Sequence, residues 1–382
     1  MSAGPPESPR GGLPARAPGD HHDETVEVYQ TRAVEWAERR TFRTDAAEEF
    51  TRAAAASGAD GPVVDLGCGP GWHLPSLPDG TIALDATPAM LDQVPEHLPG
   101  APRVLADLRD LPFARHSIGG AWADRSYVHL HREQVPMALW DLHRCVQVGG
   151  LVRLVLFSGD ADHARYGDDD FPGRWFSHWP ETLLADVLEG AGFDVERFVV
   201  APRGNDDHLE VWMRRARTLA DTVGPDMRLL LVGLNPSLVA ADAGVGFHRN
   251  GNRAWPALRA AGLASMDRDA RHLLVHDGIG MTDLVKRASP RADELTRDEF
   301  RHGLERLDRL CAWLRPAAVC VLGLTGWRAA VDRHASIGQQ DRHLGGRPVY
   351  LMPNPSGVNA HVSLDDLAEH LRAAASLAAS ST

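Results

Sequence analysis

The chain has 382 residues, more than a single hydrophobic core usually organises, so its length suggests two or three domains, and we expect two. Hydrophobic residues make up 43% of the chain and charged residues 24%, and no apolar run approaches the roughly 18 residues of a membrane-spanning helix, so we expect a soluble protein without a membrane partner. A net charge of -12 disfavours nucleic acid as the partner of the chain as a whole.

Residues 1–23 predict a disordered tail. They are rich in Pro, Gly and Arg and lack an apolar stretch, which excludes a secretory signal. The four cysteines contain no C-x-x-C pair, so we expect neither a disulfide framework nor a zinc site, and no metal. They are Cys68, Cys145, Cys311 and Cys320. This pattern suits a reducing cytoplasm.

The first domain is predicted over residues 24–215. Val26 to Ala56 has helical spacing and little Gly or Pro. Val63 to Gly71 is typical of a buried strand that runs into a glycine-rich turn, where missing side chains let backbone N–H groups approach a ligand. A second predicted strand ends at Asp85, twenty positions after Asp65, and an acid at this place suits the hydroxyls of a ribose.

This series resembles the Rossmann-type S-adenosylmethionine-dependent methyltransferases, whose first motif D-x-G-x-G-x-G matches Asp65 to Gly71. The resemblance implies S-adenosylmethionine as cofactor, with the glycines against its methionine part, Asp85 at the ribose, and Asp107 with Leu108 beside the adenine. It also implies a helix over Leu142 to Val148 that ends in a glycine turn. A nicotinamide-binding Rossmann domain is the alternative, although the spacing is not G-x-G-x-x-G. The predicted cofactor-binding residues are Asp65, Gly67, Gly69, Gly71, Asp85, Asp107 and Leu108.

The methyl acceptor is not identified by the sequence. Enzymes that methylate exocyclic amines of bases commonly carry an Asn/Asp-Pro-Pro-aromatic motif where this chain has Ala123 to Tyr127. Cytosine C5 methylation needs a cysteine nucleophile, usually after proline, and no cysteine here follows proline. Both routes to DNA methylation are therefore disfavoured. His129 and His131 follow the same strand, but histidines there are more often packing residues, and we assign them no catalytic role.

A linker is predicted over residues 216–226, because this stretch has no strand signal and contains Gly-Pro. The net charge changes sign there. Residues 227–382 contain 19 Arg and Lys against 16 Asp and Glu, a net +3, whereas residues 1–226 contain 21 against 36, a net -15. Only the second half has the electrostatics to approach phosphates.

The second domain is predicted over residues 227–377, with a short tail at 378–382. Leu229 to Val232 is an apolar run of strand length that ends before Asn235-Pro236, and Pro348 to Met352 ends in the same way before Asn354-Pro355. Ligand sites of open α/β sheets lie at such strand ends. The other predicted elements are a helix over Arg297 to Leu314, a strand over Ala317 to Leu322, a helix after Gly323 and a helix over Val362 to Leu377.

These two loops resemble the motifs of the uracil-DNA glycosylase superfamily, specifically its mismatch-specific uracil/thymine branch. Phe247 falls where that branch has its base-stacking aromatic, and Asn252-Arg253 with Trp255 matches an Asn-Arg-Phe-Trp stretch. Gly280 to Arg287 is similar to the middle motif. The resemblance implies that the fold class is α/β throughout, with a Rossmann-like methyltransferase sheet first and a uracil-DNA glycosylase-like α/β/α layered domain second.

By this resemblance the second domain is a monofunctional DNA glycosylase. It would excise uracil, thymine or modified pyrimidines opposite guanine in double-stranded DNA, as in base excision repair. The alternative is a non-catalytic DNA-recognition module that directs the methyltransferase. The implied catalytic residues are Asn235, Phe247 and Asn354. The implied pocket and DNA wedge comprise Leu234, Ala240, Asp283, Ser356, Gly357, Val358 and Asn359.

Asp283 departs from the family, which carries an amide or a lysine at this place. Two interpretations remain open at this point. Asp283 either faces the flipped base, where an ionised carboxylate can only accept hydrogen bonds, or it caps a following helix and points away from the pocket.

Overall fold

The strands of the chain form two separate sheets, one before and one after residue 226. The structure is a computed structural model that describes residues 21–39, 44–203, 206–357 and 361–379. Most of the predicted N-terminal tail, residues 1–20, lies outside the described residues. His22 and Asp23 do not continue that tail, because they begin the first helix. The predicted tail at 378–382 likewise starts too early, since the last helix runs to Ala379.

The first sheet has the doubly wound form expected for a Rossmann-like domain. Its strands are β1 (Val63–Leu66), β2 (Ile82–Asp85), β3 (Arg103–Leu105), β4 (Ile118–Asp124), β5 (Val146–Ser158), β6 (His178–Trp179), β7 (Phe193–Arg203) and β8 (Asp206–Arg215). They follow the order β3-β2-β1-β4-β5-β8-β7, with β6 paired to β5. Only β8 runs antiparallel to its neighbours. The strand order reverses between β1 and β4, where ligands of such sheets bind.

Helices cover both faces of this sheet. They are α1 (His22–Arg39), α2 (Asp45–Ala55), α3 (Pro88–Leu91), α4 (Val94–His97), α5 (Val135–Cys145) and α6 (Glu181–Gly190). On one face Phe50 of α2 packs with Trp122 and Trp212, and on the other Leu139 and Leu142 of α5 pack with the strands. The helix predicted over Leu142 to Val148 is wrong at its end. Val146 pairs in parallel with Ile118 of β4, so strand pairing overrides the helical spacing.

The second sheet is mostly parallel. Its strands are β9 (Leu229–Gly233), β10 (Ile279–Asp283), β11 (Val319–Leu322), β12 (Gly338–Leu344) and β13 (Arg347–Met352), in the order β10-β9-β11-β13-β12. Only β12 is antiparallel, because a short hairpin joins it to β13. The ends of β9, β10, β11 and β13 therefore meet at one edge, and this edge carries Asn235 and Asn354.

Alternating apolar residues make this a three-layer domain. Its helices are α7 (Leu238–Ala243), α8 (Ala254–Ala260), α9 (Ala270–Val275), α10 (Arg297–Leu314), α11 (Thr325–Ala330) and α12 (Leu364–Ala379). Leu230 and Val232 of β9 pack towards α10, whereas Leu229 and Leu231 pack towards α8 and α12. The α/β/α arrangement predicted from the sequence follows from this alternation. Within the described residues, no helix combines the length and apolarity needed to cross a membrane.

The stretch predicted as a linker, residues 216–226, is packed against the second domain. Thr222 forms a β-bridge with Met281. Asp221 is buried, and its carboxylate binds Nζ of Lys286 at 2.6 Å and Nη1 of Arg306 at 2.8 Å. It also accepts a hydrogen bond from Thr282 at 2.7 Å. Burial opposes ionisation, but the two cations hold the pKa of Asp221 below its ordinary value.

Helices α6 and α10 also join the two domains. Arg309 of α10 donates to both carboxylate oxygens of Asp186 at 2.6 and 2.9 Å. Trp313 meets Trp179 edge to face, with 6.0 Å between the ring centroids. The backbone N–H of Asp221 donates to the carbonyl of Gly190 at the end of α6, at 2.7 Å. The two domains therefore share a packed junction centred on Asp221.

Asp221→Asn is expected to lower the free energy of unfolding by about 3–5 kcal/mol, because it leaves two buried cations without a counter-charge. Urea unfolding followed by fluorescence measures the loss. Asp242→Asn is the matched control: Asp242 pairs with Arg217 at 2.6 Å, but its side chain is 54% exposed, so we expect a loss of about 1 kcal/mol or less. Equal losses in the two variants would contradict a buried ionic junction.

Candidate functional site

Backbone hydrogen bonds fix the conformation of the glycine-rich turn after β1. The N–H groups of Gly67 and Cys68 both donate to the carbonyl of Leu84, at 2.8 and 2.9 Å. Gly67 has a φ of +71° and lies directly against the side chain of Ser126, so a larger residue would be strained and would collide there. Gly69 also has positive φ, and the space beside it is open. The turn therefore presents bare backbone to its surroundings.

Asp85 holds this turn in place. Its carboxylate accepts from the N–H of Gly69 and from the N–H of Thr87, both at 2.9 Å. Burial raises the pKa of Asp85, and these backbone donors oppose the rise. Asp65, at the end of β1, is 1% exposed, and its Oδ2 atom has no hydrogen-bond partner within the described residues. Burial raises the pKa of Asp65 well above its ordinary value.

A cavity of about 750 Å³ lies beside the turn, at the carboxyl ends of β1, β2 and β4. Five of the seven predicted cofactor residues line it: Asp65, Gly67, Gly69, Asp85 and Leu108. The other two do not. The space beside Gly71 is filled by Leu74 and Val94, so this glycine serves packing. Asp107 is paired with Arg109 at 2.7 Å and with His22 at 3.1 Å.

Helix α1 forms the roof of this cavity. His22, Tyr29 and Trp36 line it from above. Several hydrogen bonds fix the helix to the body of the domain: Gln30 accepts from the N–H of Ala89 at 3.1 Å, and Thr25 accepts from the N–H of Trp175 at 3.1 Å. Helical spacing predicts the helix, but its place over the cavity depends on contacts that are distant in sequence.

His129 belongs to the cavity wall and is fully engaged. Its Nδ1 lies 2.8 Å from the carbonyl of Trp175, which can only accept, so Nδ1 carries the proton. Nε2 then accepts from the hydroxyl of Tyr29 at 2.9 Å, and that hydroxyl accepts from Arg174 at 3.0 Å. Burial lowers the pKa of His129 to about 3, which keeps it neutral. Neither ring nitrogen is left to act as a base. His131 stacks on His163, with 3.5 Å between the centroids.

A second candidate site lies at the edge of the second sheet, around Asn235. The Nδ2 atom of Asn235 donates to the carbonyl of Arg287 at 3.0 Å and to Ser289 Oγ at 2.9 Å, across the loop that follows β10. The Arg287 carbonyl can only accept, so the orientation of the amide is fixed. The amide oxygen is therefore the atom of Asn235 that remains to accept a hydrogen bond from a water molecule.

Phe247 lies in the loop between α7 and α8. It adopts a φ of +57°, which is uncommon for an aromatic residue and strains the backbone. Trp255 is buried beneath this loop and donates from Nε1 to the carbonyl of Gly246 at 2.8 Å. Ala240 is buried in α7, where its N–H donates to the capping hydroxyl of Ser237. The hydrogen bond from the buried Trp255 to the carbonyl of Gly246 therefore holds the backbone next to Phe247 in place.

Asp283 ends β10 beside Phe247. A methyl group on Gly233 would collide with Oδ1 of Asp283 and would lie 3.5 Å from Cζ of Phe247, so the carboxylate and the ring border the same point. No helix begins between residues 284 and 291, and the capping interpretation of Asp283 is therefore wrong. Burial raises the pKa of Asp283 to about 6; Lys286 and Arg306 oppose the rise, while Asp221 adds to it.

The second Asn-Pro loop packs next to the first. The Oδ1 atom of Asn354 accepts from the N–H of Ser356 at 2.9 Å, and its side chain lies against Gly323 at the end of β11. The backbone of Gly357 touches that of Gly251. The N–H of Arg253 donates to the carbonyl of Pro355 at 2.9 Å, which joins the loops. The predicted wedge residues Val358 and Asn359 lie outside the described residues.

Two family models match the chain. Residues 220–378 match the uracil DNA glycosylase superfamily, and residues 63–150 match a methyltransferase domain. This chain joins a methyltransferase domain to a uracil-DNA glycosylase superfamily domain. The predicted fusion is thereby confirmed at the level of the two families.

Solved methyltransferase structures are similar to part of the chain. A DhpI complex with SAH is 19% identical, covers 52% of this chain and 99% of its own, and has a TM-score of 0.42. The 1,6-didemethyltoxoflavin-N1-methyltransferase of Burkholderia thailandensis is 21% identical, covers 53% of this chain and 94% of its own, and has a TM-score of 0.38.

Several residues of the methyltransferase cavity were not found from the sequence. They come from elements far apart in the chain: Tyr29, Trp72, Phe157, Tyr166, Arg174 and His208. An aromatic or a histidine at these positions looks like an ordinary packing residue until the fold brings them together. The one available signal is the cluster of aromatic and acidic residues at 166–176.

Asp283 gives the glycosylase-superfamily domain a pH dependence. Because its folded pKa, about 6, exceeds the ordinary 3.8, the folded state binds more protons between about pH 4 and 6, and the stability linked to Asp283 falls as pH rises through that range. We expect a carboxyl carbon resonance that titrates near pH 6 and is lost in Asp283→Asn. Carbon-13 NMR measures it, and a midpoint below pH 4 would show that the carboxylate is not buried.

Proposed function

We propose that the first domain transfers methyl groups from S-adenosylmethionine. This proposal is carried by the turn at Gly67 and Gly69 together with the buried acids Asp65 and Asp85. The residues fit the cofactor: Asp65 has a buried oxygen with no partner among the described residues, which would accept from the amino group of the methionine part. Gly69 leaves room for close approach, and Asp85 lies where the ribose hydroxyls would be held.

The cofactor supplies an electrophilic methyl group, and the protein would orient the cofactor and the acceptor and enclose them in the cavity. Helix α1 and Trp72 cover the cavity and reduce the access of water. The hydrogen bonds of Tyr29 with His129 and Arg174 hold helix α1 in position over the strand ends. His129 is neutral and already bonded at both nitrogens, so it orients Tyr29 and does not remove a proton.

Asp85→Ala should weaken S-adenosylmethionine binding by about tenfold or more, because it removes a charged acceptor and also releases Gly69 and Thr87 from the turn. Calorimetry with the full chain measures the dissociation constant. Asp79→Ala, at an exposed acid outside the cavity, is the control and should bind as the wild type does. An unchanged affinity in Asp85→Ala would overturn the ribose assignment.

We further propose that the second domain is a monofunctional DNA glycosylase that removes uracil, thymine or a modified pyrimidine opposite guanine, as in base excision repair. The observation that carries this proposal is the fixed amide of Asn235, whose oxygen is left to hold a water. The net charge of +3 on residues 227–382 suits a DNA backbone better than the -15 of the first half.

Breaking the bond between base and sugar leaves an oxocarbenium-like sugar and an anionic base. The target base first leaves the duplex, at a cost of a few kcal/mol that is smaller in a mismatch. Phe247 would stack on it, and backbone N–H groups near Leu234 and Phe247 would hold the charge on its oxygen. Asn235 would direct the water. Ala240 is small and leaves room for the methyl group of thymine. Gly357 belongs to the segment that would fill the gap in the duplex.

Lys286 decides whether the proposed glycosylase could also cleave the DNA strand after it removes the base. It is the only lysine of the chain, and its amine is buried in the ion pair with Asp221. A β-lyase reaction needs a free amine to form a Schiff base with the sugar. The domain should therefore leave an intact abasic strand.

Asn235→Ala should slow excision of uracil opposite guanine by about 100-fold, because the water loses its acceptor. Single-turnover assays on G·U and G·T duplexes, followed by alkaline cleavage, measure the rate. Gln339→Ala, an exposed amide on the edge strand β12, which two strands separate from β9, is the control. Strand breaks before alkali would contradict monofunctional chemistry. DNA binding without any excision by excess wild type would favour the recognition module instead.

A further inference from the structure

The part of the methyltransferase cavity beyond the glycine turn is walled by aromatic rings. Phe157 lies 5.9 Å from Phe176 and 5.2 Å from His208 between centroids, and Tyr166 lies 5.1 Å from Phe176. The planes of these pairs are inclined by 36° to 48°. The rings are therefore tilted and not stacked on one another, and together they form an aromatic wall that suits a flat molecule or a cation.

Charge in the cavity is predominantly negative. Six of the residues that line it are aspartates, and two are arginines. The acids fall into two groups, one at the strand ends (Asp65, Asp85 and Asp124) and one along the rim (Asp168, Asp169 and Asp170). Two of these acids form ion pairs, Asp124 with Arg125 and Arg153, and Asp169 with Arg174. The acids still outnumber these arginines, and such an excess favours positive charge over anions.

Both arginines of the cavity already have partners. Arg174 donates to Asp169 through Nε at 3.0 Å and to Tyr29 through Nη1 at 3.0 Å, and its guanidinium lies 5.0 Å from the ring centroid of Phe176. Arg125 donates to Asp124 at 2.7 Å. The guanidinium of Arg174 is therefore committed to contacts within the protein, whereas Arg125 binds Asp124 through Nε and its side chain is 41% exposed.

The size of the space limits the acceptor as well. Pockets for small ligands commonly have about 300–1,000 Å³, so about 750 Å³ suits a cofactor together with one small molecule. The roof helix α1 is attached to the body at Thr25, Tyr29 and Gln30, so it covers one side of the cavity.

We propose that the methyl acceptor is a small, uncharged aromatic molecule whose nucleophilic nitrogen becomes positively charged on methylation. The inference rests on the proposed methyl transfer. The nitrogen lone pair forms the new N–C bond, and the C–S electron pair stays on sulfur, so one positive charge moves from sulfur to nitrogen and remains in the acidic, aromatic cavity. A phenolate, thiolate or carboxylate would instead have to enter this negative field as an anion.

The test uses calorimetry on the full chain saturated with S-adenosylhomocysteine. N-methylquinolinium serves as the product-like cation and 2-naphthoate as an anion of matched size. We expect the cation to bind at least tenfold more tightly than the anion, from cation–π contact and the acidic lining. Phe157→Ala should weaken binding of the cation about tenfold. Asp168→Asn should reduce the difference in affinity between the cation and the anion. Asp79→Asn alters an exposed acid outside the cavity and should change neither the affinity for the cation nor its preference over the anion.

Failure of the proposed methyl transfer and failure of the acceptor assignment give different results. If S-adenosylhomocysteine does not bind, the proposed methyl transfer itself fails. If it binds normally but 2-naphthoate binds as tightly as the cation, or neither probe binds, only the assignment of the acceptor is overturned. Transfer of labelled methyl groups to a DNA duplex would overturn it as well, because a polymer would then reach the cavity.

Discussion

The carboxylate of Asp221 is the interaction on which the arrangement of both domains depends. It neutralises the buried cations Lys286 and Arg306 and accepts a hydrogen bond from Thr282, the neighbour of Asp283 on β10. Asp221 belongs to the segment that leaves the methyltransferase domain, and its own N–H is bonded to the end of α6. One buried anion therefore fixes the junction between the domains and the edge strand of the second candidate site.

The two sites differ in the charge that they present, and this difference separates their chemistry. The methyltransferase half carries a net -15 and an acid-rich cavity with its arginines already paired, which suits a cofactor with a positively charged sulfur and repels a polyanion. The other half carries a net +3 and places its polar strand ends together at one edge. This difference in charge supports the proposal that a DNA duplex approaches the second domain.

Much of the fold follows from local patterns, and what does not follow depends on distant contacts. The helix predicted over Arg297 to Leu314 has the bounds of α10, because its capping box and apolar spacing are local signals. The helix predicted through Val148 is wrong from Val146 onwards, since strand pairing decides the structure of this stretch. The stretch at 216–226 resembles a linker in composition, but it is buried through partners 60 or more residues away at Thr282, Lys286 and Arg306. The roof of the cavity was unpredictable for the same reason.

The most direct test of a base-facing Asp283 in the proposed glycosylase is the pH dependence of single-turnover uracil excision opposite guanine in the wild type and in Asp283→Asn. An ionised carboxylate beside the base opposes the negative charge that develops as the base departs. We expect excision by the wild type to slow as pH rises past about 6, the pKa of Asp283, and we expect Asp283→Asn to lack this step and to be faster above it. Parallel profiles, or a variant that is slower throughout, would contradict a base-facing Asp283.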